Sequence, residues 1–323
     1  MLTAGIMLTL AMGMMVGCGG EKKEAAKKEK VNVGIVQLVE HAALDAANKG
    51  FVDGLAAKGF KEGQNITFDR QNAQADQSNL QNIAQRFVSN KVDLICAIAT
   101  PAAQTVANVT PDIPIVGTAI TDYKAAKLIT DNKKPGTNVT GTTDMNPVEA
   151  QLDLALQLVP GAKAIGTIYS SSEVNSQLQV DILKKAAAVK KVEIKEATVT
   201  TVNDIQQAAR SLVGKVDVIY IPTDNVLASA MPTLAMVTEE AKIPVVCGEG
   251  EAVKSGGIAT LGIDYYKLGV QTGEMAADIL SGKAKPQDMP IQAQKDFDVI
   301  VNFESAKKIG LTIPKEILDK AKK

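Results

Sequence analysis

From Val31 onward the chain alternates short runs rich in Val and Ile with longer stretches of helical periodicity, and it completes that pattern twice. Runs at 31–36, 65–69, 93–97 and 113–116 read as strands, with helices at 42–57, 78–90 and 101–109 between them. A second series places strands at 164–169, 192–197, 216–221 and 244–247, alternating with helices at 147–158, 175–189, 203–212 and 225–241. A strand can lie parallel to its predecessor only if the chain returns through a long crossover. The alternation therefore predicts an α/β fold with parallel sheets covered by helices on both faces.

An internal echo divides the pattern. Asp93-Leu94-Ile95 runs to Thr100-Pro101, then a helix, then Asp112-Ile113-Pro114-Ile115-Val116. Asp217-Val218-Ile219 runs to Pro222-Thr223-Asp224, a helix, then Lys242-Ile243-Pro244-Val245-Val246. Each copy ends a strand in a Pro/Thr turn and enters the next strand through Ile-Pro. The repetition predicts two Rossmann-like lobes of similar construction, which suits a chain of 323 residues. Ligands of open α/β sheets bind beyond the carboxyl ends of the strands, so both turns are expected to face a cleft between the lobes. The Gly/Asn/Thr-rich stretch 135–143 and the segment 262–265 read as crossovers. A helix at 266–280 would return to the first lobe, and the run 298–302 with short helices at 304–309 and 314–322 would finish on the second. The expected division is 31–141 plus 266–290 for lobe 1 and 142–265 plus 291–323 for lobe 2.

Ahead of the folded pattern, sixteen uncharged residues (2–17) lead into Val16-Gly17-Cys18, and the charged stretch 21–30, with five Lys and three Glu, follows at once. A short apolar run ending in a small residue and cysteine resembles a lipoprotein signal peptide, in which Cys18 is acylated and becomes the mature N-terminus. A membrane span would need about 20 apolar residues. Residues 1–30 thus read as signal peptide and solvated tether, reaching roughly 35 Å when extended, and the body as extracytoplasmic, lipid-anchored to the bacterial membrane.

Net charge is −1 and no basic face is evident, which argues against nucleic acid as a partner. Hydrophobic content of 46% is ample for a core, but aromatics are 3% and Trp is absent, which excludes a sugar site built on stacked tryptophan. Cys96 and Cys247 sit in or beside strand patterns of different lobes and read as buried free thiols. Catalysis finds no support: there is no G-x-S-x-G, P-loop, H-E-x-x-H or C-x-x-C pattern, and His41 is the only histidine. No catalytic residue, metal ligand or cofactor is therefore assigned.

Six strings carry a more specific resemblance: Glu40-His41-Ala42-Ala43-Leu44-Asp45, Asn72-Ala73-Gln74-Ala75-Asp76-Gln77-Ser78-Asn79-Leu80, Ile98-Ala99-Thr100-Pro101-Ala102-Ala103-Gln104, Tyr169-Ser170-Ser171-Ser172-Glu173-Val174-Asn175-Ser176, Ile221-Pro222-Thr223-Asp224-Asn225 and Gly262-Ile263-Asp264-Tyr265-Tyr266. In order, over the chain after Lys30, they resemble the ABC-transporter solute-binding lipoproteins of the tryptophan/tyrosine-binding type. The sequence departs from that pattern at Gly117 and at Asp122-Tyr123. The resemblance implies a type I periplasmic-binding-protein fold with a three-crossover hinge, a monomer that binds a small molecule in its cleft, and an ABC permease with its ATPase as partner. It implies an amino acid, aromatic or apolar, as ligand. A ligand-presenting sensory protein, a nucleoside as ligand, and an exported enzyme on the same scaffold are the alternatives.

A zwitterion drawn from water needs its carboxylate met by hydroxyls and helix amides and its ammonium met by carboxylates. For the carboxylate the candidates are Thr100, read as a helix cap at a strand end, with Thr118 and Ala119 after the next strand. For the ammonium they are Asp224, Glu249 and Asp264, each at the end of a second-lobe strand or at a crossover. Ser171, Asn175 and Ser176 are candidates for the ligand's main-chain groups, or a capping cluster. Gln37 and Glu40 follow the first strand and are expected to line the side-chain pocket, with His41 read as a helix-start residue. Tyr123, Tyr169, Tyr220, Tyr265 and Tyr266 are the available stacking partners.

Overall fold

The computed structural model describes residues 30–321, and Cys18, the apolar run and nearly all of the charged stretch lie outside them. In chain order the first lobe is built from β1 (Val31–Gln37), α1 (Ala42–Ala57), β2 (Ile66–Asn72), α2 (Gln77–Ser89), β3 (Leu94–Ile98), α3 (Thr100–Val109), β4 (Ile115–Ile120) and β5 (Val139–Thr143). The second follows as α4 (Val148–Leu158), β6 (Ala164–Ser170), α5 (Val174–Lys190), β7 (Glu193–Val199), α6 (Ile205–Leu212), β8 (Val218–Ile221), α7 (Asn225–Ser229), α8 (Met231–Glu240), β9 (Val245–Cys247), α9 (Gly250–Lys254) and β10 (Ala259–Gly262). The chain then returns through α10 (Tyr265–Leu280) and β11 (Gln292–Ala293), and ends with β12 (Asp298–Val301), α11 (Phe303–Lys308) and α12 (Lys315–Leu318).

The two six-stranded sheets run β11-β5-β4-β3-β1-β2 and β12-β10-β9-β8-β6-β7. Position for position they match, so the echoed pairs β3/β8 and β4/β9 occupy corresponding places in the two lobes. Every pairing is parallel except β12 against β10. Pattern explains placement: central β3, Leu-Ile-Cys-Ala-Ile, is buried at all five positions, whereas β7 at its sheet's edge is mostly exposed or half-buried. Helix α6 buries Ile205, Ala208, Ala209 and Leu212, the i, i+3, i+4, i+7 stripe of a helix lying on a sheet. Cys96 and Cys247 are buried free thiols in different sheets.

Helix α10, arriving from the second lobe, docks on α1 at backbone contact. A Cβ at Gly269 would lie 2.0 Å from the Ala47 carbonyl oxygen, and one at Gly50 2.1 Å from that of Tyr266. This anchorage fixes Tyr265, the first residue of α10, at the junction of the lobes.

Three local expectations need correction. The stretch 135–143 is not only a connection, since β5 forms inside it, and β10 was not foreseen. Both are each sheet's fifth strand, and their Thr- and Gly-bearing sequences lack a long apolar run. The division at 141/142 and 290/291 accordingly falls short: β5 extends through Thr143, and β11 still pairs with it. The helix expected over 225–241 breaks at Ala230, with Pro232 placed in the first turn of α8, where its missing N–H leaves no intrahelical bond unmade.

Candidate functional site

The lobes meet over the carboxyl ends of β4, β8 and β9. First-lobe residues His41, Leu44, Ala119 and Thr121 face Asn175, Thr223, Asp224, Asn225, Ala228 and Glu249 of the second, with Asp144 and Tyr265 supplied by the connections. The space between them is about 10 Å³, room for roughly one water. The lobes are therefore closed upon each other. Thr121 Oγ1 lies 3.1 Å from Thr223 Oγ1, and His41 Nε2 lies 3.3 Å from Asn225 Oδ1. Burial holds the His41 imidazole below its usual pKa, so the neutral ring donates from Nε2 to the Asn225 carbonyl oxygen. From the first connection, Asn146 Nδ2 donates to the Gly248 carbonyl at 2.9 Å.

A sharp backbone feature shapes the first-lobe wall. The β4–β5 register shifts between Gly117 and Ile120, and Ala119 there adopts φ 55°. The Tyr123 hydroxyl donates at 2.9 Å toward both the Gly117 and Thr142 carbonyls, and a Cβ at Gly117 would meet that hydroxyl at 2.7 Å. The two departures from the family pattern thus meet in one place: the phenol of Tyr123, with the Ile120 side chain whose Cδ1 would lie 2.3 Å from that Cβ, takes the space a side chain at Gly117 would need. The bulge re-aims the strand and brings Ala119 to the cleft.

Carboxylates dominate the opposite wall. Asp224 caps α7 by accepting from Leu227 N at 2.9 Å and also accepts from Ser170 N at 2.6 Å and Ser176 Oγ at 2.7 Å. Behind it, buried Glu173 accepts from Asn225 Nδ2 at 2.6 Å and Asn175 Nδ2 at 3.0 Å. Burial raises the pKa of both, and the nearby Asp224 charge raises Glu173 further. Glu249 caps α9, accepting from Glu251 N at 2.6 Å and Ala252 N at 2.7 Å, and burial pushes its carboxyl up to about 7. Asp144 accepts from Tyr265 OH at 2.8 Å and Thr121 Oγ1 at 3.0 Å, and it too is raised by burial. No Lys or Arg lines this space. Such a wall is built to receive a cation.

The structure brings Ala119, Asn175, Asp224 and Glu249 together, with Ser176 supporting Asp224 from behind. It does not bring the other expected residues to the cleft lining. Gln37 is engaged inside its own lobe, donating to Asp45 at 2.6 Å and accepting from Asn48 at 3.0 Å. Glu40 and Ser171 are exposed. Thr118 is buried within β4, where its hydroxyl accepts from Thr142 at 3.3 Å. Asp264 caps α10, accepting from Lys267 N at 3.1 Å, and does not line this space. Thr100 is not a cap: Ala99 is, at φ 84°, and Thr100 is the first residue of α3, its hydroxyl buried without a partner. Of the five tyrosines only Tyr265 reaches the cleft.

The sequence reading missed Thr121, Asp144, Thr223 and Asn225 as lining residues, together with Glu173 behind them. Glu173 and Asn225 were legible within the quoted strings, as a carboxylate and an amide beside strand-end turns. Nothing local marks Asp144, which the β5 connection delivers. His41, read as a helix-start residue, does begin α1, but its ring also reaches the second lobe.

The model of the ABC transporter substrate binding protein family matches residues 32–323. The chain belongs to that family. Its members are extracytoplasmic binders of small molecules that serve ABC transporters. A tyrosine-binding protein of Clostridioides difficile is 44% identical to this substrate-binding protein over 310 residues, covering 94% of this chain and 90% of the relative. An ABC domain from Streptococcus pneumonia, solved in complex with L-Trp, superposes with a TM-score of 0.87 at 39% identity over 90% of this chain and 98% of that one. The ligand-free, open structure of a Clostridium difficile substrate-binding protein with adhesive properties is more similar in sequence, 47% over the same shares, yet superposes at only 0.68. Identity and superposition rank the two oppositely, so lobe arrangement separates them: the closed substrate-binding protein described here resembles the L-Trp complex. The fold is that of the type I periplasmic binding proteins. Among the described residues no helix is long and apolar enough to cross a membrane.

Proposed function

We propose that this substrate-binding protein captures an aromatic amino acid, tyrosine or tryptophan, between its lobes and delivers it to an ABC permease with its ATPase. In this reading it acts as a monomer held at the outer face of the membrane through acylated Cys18, without catalysis. The observation that carries the ligand class is the wall of Asp144, Asp224 and Glu249, free of Lys and Arg, in a chain close to a tyrosine-binding protein. An ammonium satisfies those carboxylates, and Tyr265 offers the aromatic surface. The three connections, 144–147, 263–264 and 294–297, form the hinge. Gln294 ties two of them, donating to the Asp264 carbonyl at 2.6 Å.

A thermal-shift screen of the twenty amino acids, nucleosides and simple sugars tests this. At a hundredfold excess over Kd a true ligand adds about 2.7 kcal/mol of stability, and tyrosine or tryptophan is expected to give the largest shift. A response confined to nucleosides or sugars overturns the amino-acid reading and leaves the fold untouched.

The unpartnered Thr100 hydroxyl is buried at the carboxyl end of β3, outside the cleft lining. A buried hydroxyl without a partner destabilises the free protein. Thr100→Val is therefore expected to leave stability unchanged or raise it by up to ~1 kcal/mol in urea unfolding, with ligand affinity by calorimetry unchanged because the residue does not line the cleft. A marked loss of affinity would place Thr100 in contact with the ligand after all.

A further inference from the structure

We propose that the cleft carboxylates make lobe closure conditional on a bound cation, so that the empty protein stays open at neutral pH and protons substitute for the ligand's ammonium when pH falls. The inference rests on the amino-acid reading only for the identity of the cation; the behaviour of the empty protein follows from the carboxylates alone.

Glu249 is buried in the closed cleft. The carboxylate lies at the interlobe surface, 4% exposed, beneath the first-lobe residues His41, Leu44 and Ala119. Separating the lobes returns it to water. Every titratable group around it is an acid or neutral: Asp144 from the first connection, Tyr265 from α10, Asp224 with Glu173 behind it, Cys247 on its own strand, Glu251 on its own helix, and the His41 ring held neutral by burial. The two backbone amides that Glu249 receives do not offset this, because its carboxyl still rises to about 7. Closing the empty lobes above that pH gathers several anions around a space of about 10 Å³ with no counter-charge. An ammonium supplies the counter-charge, and the ligand thereby stabilises the closed state over the open one, as any ligand-driven closure requires.

The sign of the pH effect follows from linkage. The closed state binds the Glu249 proton more tightly than the open state, in which a solvated carboxyl titrates in the ordinary range. Lowering pH therefore favours closure through Glu249, an effect lost as pH rises through the closed-state value, while His41, whose proton burial disfavours, acts in the opposite direction. The proton comes from bulk water and resides on the Glu249 carboxyl. For one group shifted to about 7, going from pH 7.5 to 5.5 moves the open–closed constant ~20-fold toward closed.

Small-angle X-ray scattering on the ligand-free protein, at pH 7.5 and 5.5, reads this as a radius of gyration. The parent is expected to be extended at pH 7.5 and compact at 5.5, and Glu249→Gln to be compact at both. A parent whose radius does not respond to pH overturns the proposal. So does a pH response retained in full by Glu249→Gln, which would take the titration away from Glu249. Should Glu249→Gln fail to fold, the parent titration decides alone. Tyrosine and tryptophan added at pH 7.5 form a separate arm: if neither compacts the protein the amino-acid reading fails, while the response of the empty protein still decides this inference.

Discussion

Replacing Asp224 with alanine is expected to cost roughly 2–4 kcal/mol of stability and to weaken amino-acid binding by about a hundredfold or more, ~2.7 kcal/mol. As a helix cap alone the residue would contribute about 1 kcal/mol. It does more, because its second oxygen gathers Ser170 N and the Ser176 hydroxyl in a fully buried setting. Truncation leaves both donors without an acceptor, at about 1–3 kcal/mol each. One term runs the other way: Glu173 loses the like charge that raises its pKa, which returns part of the loss. The desolvated donors outweigh that relief, so the net sign is destabilising. Binding suffers doubly, since Asp224 both lines the cleft and holds the turn after β8 in place. Urea unfolding and calorimetric titration check the two effects. A variant within 0.5 kcal/mol of the parent that binds as tightly would mean that Asp224 neither caps nor binds as described.

The placement of Asp224 at the cleft shows what was legible in the sequence. The strand-end turn Pro222-Thr223-Asp224 was recognisable because β8 is a buried apolar run followed by turn residues, and a strand's carboxyl end is where an α/β sheet presents its ligand. Glu249 was legible for the same reason. Both belong to lobe 2, whose helices α7 and α9 start directly at the cleft and take these acids as caps. The two-lobe architecture was legible because the echo is carried by core strands, whose hydrophobic runs are dictated by burial on both faces.

First-lobe contributions were harder to read. Thr100 occupies the position equivalent to the second-lobe turn, yet it does not line the cleft, because the positive φ at Ala99 starts α3 one residue early. The bulge brings both Ala119 and Thr121 to the cleft wall. Bulges depend on the neighbouring strand, here the close approach of Gly141 to Gly117, and a single strand's sequence does not encode them. Gln37 illustrates the converse: its amide looked suited to a ligand, but Asp45 and Asn48 on α1 consume both ends of it. Asp144 was invisible because it is delivered by a connection, and its partners Tyr265 and Thr121 are distant in sequence. A site built between lobes draws on contacts that local pattern does not contain.

The largest effect on the hinge is expected at Gly269, far from any ligand. Substitution of a mid-helix glycine by alanine ordinarily stabilises by up to ~1 kcal/mol through helix propensity. Here the added Cβ would sit 2.0 Å from the Ala47 carbonyl oxygen, and Gly273 faces the Phe51 carbonyl at 2.3 Å on the next turn. The obstructing atoms are backbone, so no rotamer change relieves them, and α1 and α10 must move apart. Overpacking of this kind costs about 1–3 kcal/mol and occasionally more, so Gly269→Ala is expected to lose ~3 kcal/mol net of the propensity gain. Gly282, at φ 73° with no atom within 4 Å of an added Cβ, serves as the control: alanine there is expected to cost only about 1 kcal/mol, from backbone conformation. The consequence reaches function because α10 begins at Tyr265, whose hydroxyl holds Asp144 against the cleft. Displacing α10 loosens that pair, so Gly269→Ala is expected to weaken ligand binding as well, whereas Gly282→Ala leaves affinity unchanged. Equal stability losses in the two variants, measured by urea unfolding, would show that the close helix contact does not govern this hinge.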